Sequence, residues 1–286
     1  MTRYTAPIDP IDYLIIGHIT QDVVENGFSL GGTVTFSALT ARAMGLRVGI
    51  LTACRPDLDL SALDGIPIAA VESDVNTTFQ NIQTPAGRIQ YLHHQADILE
   101  PGMVPETWAN TPIIHLGPVA QEISPTMVRA FPRSFVGLTP QGWLRQWDET
   151  GRVSLSGWPE SRLILENASA AVLSIEDVGG DEKLIEDMLT SMRILVVTEG
   201  AEGGRLYWNG DVRRFRPPQK YEGESTGAGD IFAAAFFFRL QATRDPWEAA
   251  RFATGLAAHS INRERMDKIP KPEEVRREMI EIISDR

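Results

Sequence analysis

Short uninterrupted apolar runs alternate with longer mixed segments along most of the chain, a spacing that predicts buried strands separated by crossovers. Asp12 to Gly17 (DYLIIG) reads as a first strand, Thr33 to Met44 as a helix closed by Gly45, and Leu46 to Ala53 as the next strand. Strand, helix and strand in that order predict a parallel sheet with right-handed crossovers. Further buried strands fit Pro112 to Gly117, Phe135 to Thr139, Ala170 to Ser174 and Ile194 to Thr198, with helices between most of them. The C-terminal part reads as helical. Asp245-Pro246-Trp247-Glu248 places an N-cap Asp before a first-position Pro, opening a helix to about Asn262. A last helix, Pro272 to Ser284, carries Val275, Met279, Ile282 and Ile283 on one face, with Glu273 and Arg277 spaced for a surface pair.

Two stretches break that rhythm. Val23 to Leu30 is short and polar, and Thr77 to Gln95 alternates polar and apolar residues around Thr84-Pro85-Ala86-Gly87, which fits a type I turn. Both read as strands of a small accessory sheet, a lid at about 22–31 and 74–97 inserted in one α/β domain over 1–286. For the second stretch an edge hairpin of the main sheet is the alternative. An alternating strand buries one face, over a ligand or against a second subunit, so a homodimer could form through this lid.

Composition narrows the partners. With 27 Lys and Arg against 38 Asp and Glu, the net charge is −11, and no basic run approaches a nucleic-acid footprint. Nucleic acid and anionic membranes are therefore not expected as partners, and an anionic substrate must be captured locally. Cys54 is the single cysteine, which rules out an intrachain disulfide and fits a reducing cytoplasm. No apolar run has the length of a membrane span, and Met1 to Pro10 lacks the pattern of an export signal. His18, His93, His94, His115 and His259 show no zinc spacing.

The densest chemistry lies in Gly223-Glu224-Ser225-Thr226-Gly227-Ala228-Gly229-Asp230, which runs into the apolar segment Ile231 to Leu240. A small-residue turn opening a helix presents unpaired amides at the positive end of the helix dipole, and so binds an anion. Glycines at 227 and 229 let the backbone approach the ligand closely. An acid beside bound phosphate is electrostatically odd unless it takes a proton from the group attacking phosphorus, and Asp230 is therefore the candidate general base of a small-molecule kinase.

This segment resembles the closing signature of the ribokinase-like (PfkB) carbohydrate kinases: an acidic residue, two hydroxyl-type residues, then Gly-Ala-Gly-Asp. Glu224 stands where the family usually has Asp. The resemblance extends over nearly the whole chain in blocks. It implies a three-layer α/β/α sandwich with a mainly parallel central sheet and a small β-sheet lid, and an ATP- and Mg2+-dependent phosphotransferase. By the same resemblance, Gly17-His18-Ile19-Thr20-Gln21-Asp22 ends the first strand with Asp22 taking acceptor hydroxyls, and Gly31-Gly32-Thr33 is the double glycine at the next helix start. Phe36 lies near a position where many members have a substrate-contacting Asn. Thr198-Glu199-Gly200-Ala201-Glu202-Gly203-Gly204 resembles the nucleotide loop. Thr198, Gly200, Gly203, Thr226, Gly255 and Asn262 are implied nucleotide contacts. Ser174-Ile175-Glu176-Asp177 replaces the usual Asn and Glu around magnesium, leaving Asp177 or Glu176 to hold a water-coordinated cation.

His115-Leu116-Gly117-Pro118 and Gly137-Leu138-Thr139-Pro140-Gln141-Gly142-Trp143-Leu144-Arg145 resemble the subgroup that includes inositol kinases, which implies a sugar or polyol acceptor and makes Gln141 a substrate contact. Arg88, Gln90 and Tyr91 lie in the lid hairpin with alternate side chains facing opposite ways; Arg88 is the candidate that reaches substrate, and a solvated edge is the alternative. Trp143 and Trp147 fit core packing or ligand contact equally. Other functional classes are a nucleoside kinase and a nucleotide-binding sensor without turnover. A dinucleotide oxidoreductase is disfavoured because no GxGxxG turn follows Asp12 to Gly17.

Overall fold

The computed structural model describes residues 2–5, 8–84, 87–217, 227–261, 263 and 265–279. Strands β1 (Thr2–Tyr4), β2 (Tyr13–Ile16), β3 (Thr20–Val24) and β4 (Gly27–Gly31) precede helix α1 (Gly32–Ala43). Then follow β5 (Val48–Cys54), β6 (Ile68–Glu72), β7 (Thr78–Thr84), β8 (Gly87–His94), β9 (Ile113–Leu116), β10 (Phe135–Leu138), β11 (Arg145–Trp147) and β12 (Val153–Leu155). Next come α2 (Ser161–Glu166), β13 (Ala170–Ser174), α3 (Glu182–Leu189), β14 (Ile194–Thr198), β15 (Gly204–Trp208) and β16 (Asp211–Phe215). Helices α4 (Ala228–Thr243), α5 (Pro246–Ser260) and α6 (Pro272–Glu278) close the described chain.

Ten strands form the main sheet in the order β1-β6-β5-β2-β9-β10-β13-β14-β15-β16. The inner strands from β6 to β14 are all parallel, and β1, β15 and β16 add antiparallel edges. Alternation along each strand sends side chains to opposite faces. Tyr13 and Ile15 of β2 join one core with Ala38 of α1, Phe236 of α4 and Phe252 of α5. Leu14 and Ile16 join a second core with Leu165 of α2 and Met188 of α3. The result is a three-layer α/β/α sandwich, as the family resemblance implies, around the parallel sheet that the apolar pattern predicts.

Two local differences from the sequence reading have identifiable causes. Between β9 and β10 the crossover is a 3-10 stretch, Pro125–Ala130, rather than an α-helix, because prolines at 118, 125 and 132 interrupt the amide donors a longer helix needs. The β15–β16 hairpin escaped the reading although its turn, Asn209-Gly210, has both residues at positive φ (50° and 80°), a strong hairpin signal. The alternating stretch joins an accessory sheet, as read, and not the edge of the main sheet. It forms β7 and β8 of a separate four-stranded sheet, order β4-β3-β7-β8. Residues Pro85 and Ala86 of its turn, and Ile282 and Ile283 of the expected last helix, lie outside the described residues. The N-cap reading at Asp245 matches the structure: its carboxylate accepts from the amides of Trp247 (2.9 Å) and Glu248 (3.3 Å).

Candidate active site

A cavity of about 480 Å³ opens where the carboxyl ends of the parallel strands, the accessory sheet and the N-terminus of α4 converge. Ligands gather at that edge of an open α/β sheet because strand-end loops and helix N-termini meet there. Thr139, Ser174 and Thr198, at or just beyond the ends of β10, β13 and β14, form its floor.

One end is built from backbone. Gly227 caps α4 in the left-handed conformation (φ 84°), and among the described residues no side chain bonds to the first turn, so the amides of Ala228, Gly229 and Asp230 have no described partner and sit on the cavity wall. The first backbone bond of the helix is Ile231 N to Gly227 O (3.0 Å). A β-carbon at 227 would lie 3.0 Å from the Phe36 ring, so Phe36 supports the turn from below. The loop after β14 places Thr198, Gly200 and Gly203 on the cavity wall. Gly203 has φ 94°, and a β-carbon there would run into the Phe215 carbonyl. Phe215, Pro217, Phe232, Ala257, Ala258 and Ile261 continue this end as an apolar slot. Glu199 also lines it, but Arg205 (2.6 Å) and Arg214 (3.1 Å) neutralise its carboxylate. Gly255 is not on the wall: its open side is filled by the Glu278 side chain of α6, and Thr254 lines the cavity in its place. Thr226, Asn262 and the preceding Glu224 and Ser225 lie outside the described residues.

The other end is built from side chains. Asp22 of β3, Asn81 of β7, and Arg88 and Gln90 of β8 project from the inner face of the lid sheet, opposite Gly32, Thr33 and Gln141. Gly31 does not line the cavity; it lets the Asp22 carboxylate press against the backbone of β4. Tyr91 is absent from the lining, as alternation requires. Trp143 is buried in the core, donating to Ile123 O (3.1 Å) and stacking on Trp158. Trp147, partly buried, packs against the Phe79, Leu92 and Val119 cluster, and neither tryptophan lines the cavity. His115 is buried between Tyr13 (2.8 Å) and Thr139 (2.9 Å), and burial pushes its pKa down to about 3, keeping the ring neutral.

Asp230 sits between the two ends. Burial raises its pKa to about 6, against a hydrogen bond from Thr33; the Asp177 charge raises it further, Arg145 lowers it and Asp22 raises it. Asp22 is likewise raised to about 6 by burial, with Thr20 and Arg88 acting in the opposite direction. Burial also raises Asp177, whose carboxylate accepts from Ser174 N (2.8 Å) and so caps the turn after β13; Glu176 is exposed at the rim. Two carboxyls poised near neutrality across one cavity suit proton abstraction and hydroxyl binding.

Arg145 was not singled out as a site residue from sequence. Its guanidinium lines the cavity, donating to Val119 O (3.1 Å) and Gln141 Oε1 (2.7 Å), and burial lowers its pKa. Buried Glu122 secures that wall by accepting the amides of His18 (3.0 Å), Val119 (2.9 Å) and Ala120 (2.7 Å). The available signal was a lone arginine four residues after Gln141, at the end of a Pro-led turn.

Residues 161–272 match the family model described as pfkB family carbohydrate kinase. Inositol 3-kinase of Oryza sativa subsp. japonica is 24% identical over 260 residues, covering 81% of this chain; the chain spans 63% of the length of that relative. A pyrophosphate-dependent kinase in the ribokinase family, solved with a pyrophosphate analog and myo-inositol, superposes with TM-score 0.77 at 18% identity, covering 93% of this chain and 99% of the other. Ribokinase from Thermotoga maritima gives TM-score 0.71 at 19% identity, over 94% of this chain and 99% of the other. The fold is therefore ribokinase-like. Within that fold, residues 161–272 are the segment similar to the pfkB family carbohydrate kinases.

Proposed function

We propose that this protein transfers the gamma phosphate of ATP to a hydroxyl of a small polyol or sugar, with an inositol-like acceptor favoured and Asp230 as general base. The observation that carries the reading is the start of α4: three amides without a partner among the described residues and a carboxylate of raised pKa occupy one turn, with Asp22 across the cavity. The amides of Ala228, Gly229 and Asp230 would stabilise charge growing on the transferring group, while Asp230 takes the proton of the attacking hydroxyl. Asp22, Gln141 and the inner lid residues would orient that hydroxyl in line. The apolar slot around Phe215, Pro217 and Ala257 suits a planar base, which favours a nucleotide donor over bare pyrophosphate.

Among the described residues no group of three His, Cys, Asp or Glu could hold a metal. The free oxygen of Asp177 fits an outer-shell role, reaching through water a magnesium ion held mainly by the donor phosphates. Such an ion would neutralise charge on those phosphates. Among the described residues no helix is long and apolar enough to cross a membrane; a cytoplasmic address accords with the buried, unpaired Cys54. The outer lid face, with Phe28 61% exposed, is where a homodimer would pair, and sedimentation of the purified protein tests it.

The test is a donor and acceptor screen with magnesium, crossing ATP and pyrophosphate against inositols, hexoses and nucleosides. The reading expects ATP-dependent phosphorylation of a polyol. Preference for nucleosides would mark a nucleoside kinase, and ATP binding by calorimetry without consumption across the panel would mark a sensor.

A further inference from the structure

We propose that Tyr13, His115 and Thr139 form a one-way chain of hydrogen bonds that makes the Thr139 hydroxyl a fixed donor to an oxygen of the acceptor. Thr139 is the binding residue and the other two are positioning residues; the inference rests on the cavity taking a polyol or sugar, as proposed above. The three side chains come from neighbouring parallel strands: β2, β9 and the end of β10. Tyr13 Oη lies 2.8 Å from His115 Nδ1, and His115 Nε2 lies 2.9 Å from Thr139 Oγ1.

The direction follows from counting protons. A phenol has one, and fully buried Tyr13 finds no partner for it among the described residues except the His115 ring. A buried donor left unpaired is costly, so Tyr13 donates and Nδ1 accepts. Burial holds the His115 pKa at about 3, which keeps the ring neutral. A neutral imidazole carries a single N–H, which then sits on Nε2 and donates to Thr139 Oγ1. The hydroxyl proton of Thr139 has no acceptor among the described residues, and Thr139, 6% exposed, lies on the cavity floor. That proton is left for a group inside the cavity. The neighbouring floor hydroxyls are committed elsewhere: Thr198 donates to Leu173 O (3.3 Å), and Ser174 Oγ accepts from Glu176 N (3.2 Å).

Packing holds the chain in place. The His115 ring meets Phe237 edge-on at 4.9 Å, and Gly137, beside His115 on β10, lets Phe237 come that close, since a β-carbon there would lie 2.6 Å from its ring. Gly117 leaves room for the hydroxyl, because a β-carbon at 117 would lie 3.3 Å from Thr139 Oγ1 and 2.7 Å from the Thr33 methyl. Thr33 and its partner Gln141 (2.8 Å) line the same stretch of cavity, so the donor belongs to the acceptor end. Tyr13 and His115 do not line the cavity and act only through Thr139.

The experiment has two arms. Without substrate, the ring-nitrogen resonances of His115 in isotope-labelled protein near neutral pH are expected to show a protonated Nε2 and an unprotonated Nδ1. With ATP, magnesium and myo-inositol, or the best acceptor of the screen, Thr139→Val is expected to raise acceptor KM about tenfold and leave the KM for ATP unchanged. Thr139→Ser stays within about twofold of wild type, and Tyr13→Phe, remote from the cavity, raises acceptor KM about threefold by removing what fixes the tautomer. A protonated Nδ1 in the wild type, or a wild-type acceptor KM in Thr139→Val, would overturn the proposal. Should Thr139→Val not fold, as judged by its melting transition, the ring nitrogens and Tyr13→Phe decide. Failure of the wild type to phosphorylate any member of the screen would instead refute the kinase reading, while the ring nitrogens still report the polarity of the floor, so the two failures are separable.

Discussion

The two ends of the cavity are built from different materials. The end near α4 is made of backbone: the amides of residues 228 to 230, the left-handed turn at Gly227 and the tight approach of Gly203 to Phe215. The lid end is made of side chains, Asp22, Asn81, Arg88, Gln90 and Gln141, delivered by four separate segments. Backbone amides bind a charge whatever it is attached to, whereas a ring of side chains is complementary to one arrangement of hydroxyls. Chemistry can thus be shared across a family while the acceptor changes.

That division implies separable kinetic defects. Of the defects confined to one end, the largest is expected for Asp22→Asn. Losing a charged, buried hydrogen-bond partner should lower kcat/KM for the acceptor about 10- to 100-fold and leave the KM for ATP unchanged, as initial rates with each substrate varied would show. A rise in the ATP constant instead would break the division. Gly227→Ala acts on the other end. A side chain at φ 84° facing the Phe36 ring should cost about 1–2 kcal/mol in thermal or urea unfolding and raise the KM for ATP several-fold, sparing the acceptor constant.

A smaller effect comes from linkage. Because the folded state raises Asp230 to about 6, it binds that proton more tightly than the unfolded chain does. Stability contributed by this group is present below about pH 4, falls as pH rises to about 6, and stays lower above that. Asp230→Asn should therefore be more stable than wild type by about 1–2 kcal/mol at pH 7.5 and equal to it near pH 4, measured by urea unfolding at both pH values. The smallest effect is expected at the rim: Arg88→Ala, at an exposed position, should raise acceptor KM about two- to fivefold.

What was legible in the sequence follows the same division. Turn and helix-start signals are local, so Gly227-Ala228-Gly229-Asp230 and the Thr198 to Gly203 loop could be read directly. The parallel sheet was equally plain from apolar runs such as Asp12 to Gly17. Arg145 and Thr33 were not read as site residues, because their place on the cavity wall arises only when the turn after β10 meets the start of α1, 108 residues apart at the Gln141–Thr33 bond. Gly255 misled for a related reason: a glycine in a helix signals close approach, and here the approaching group is Glu278 rather than a ligand. Asp177 could be read as an acid in the turn after β13, but its use as a cap for the Ser174 amide depends on the turn it closes.

The central claim is that Asp230 takes the proton of the attacking hydroxyl. Its most direct test is the turnover of Asp230→Asn at saturating ATP, magnesium and an accepted polyol, with folding checked by circular dichroism and ATP affinity by calorimetry. The account expects turnover lowered about 10² to 10⁴-fold with ATP affinity nearly unchanged. Phosphorylation at the wild-type rate would contradict it.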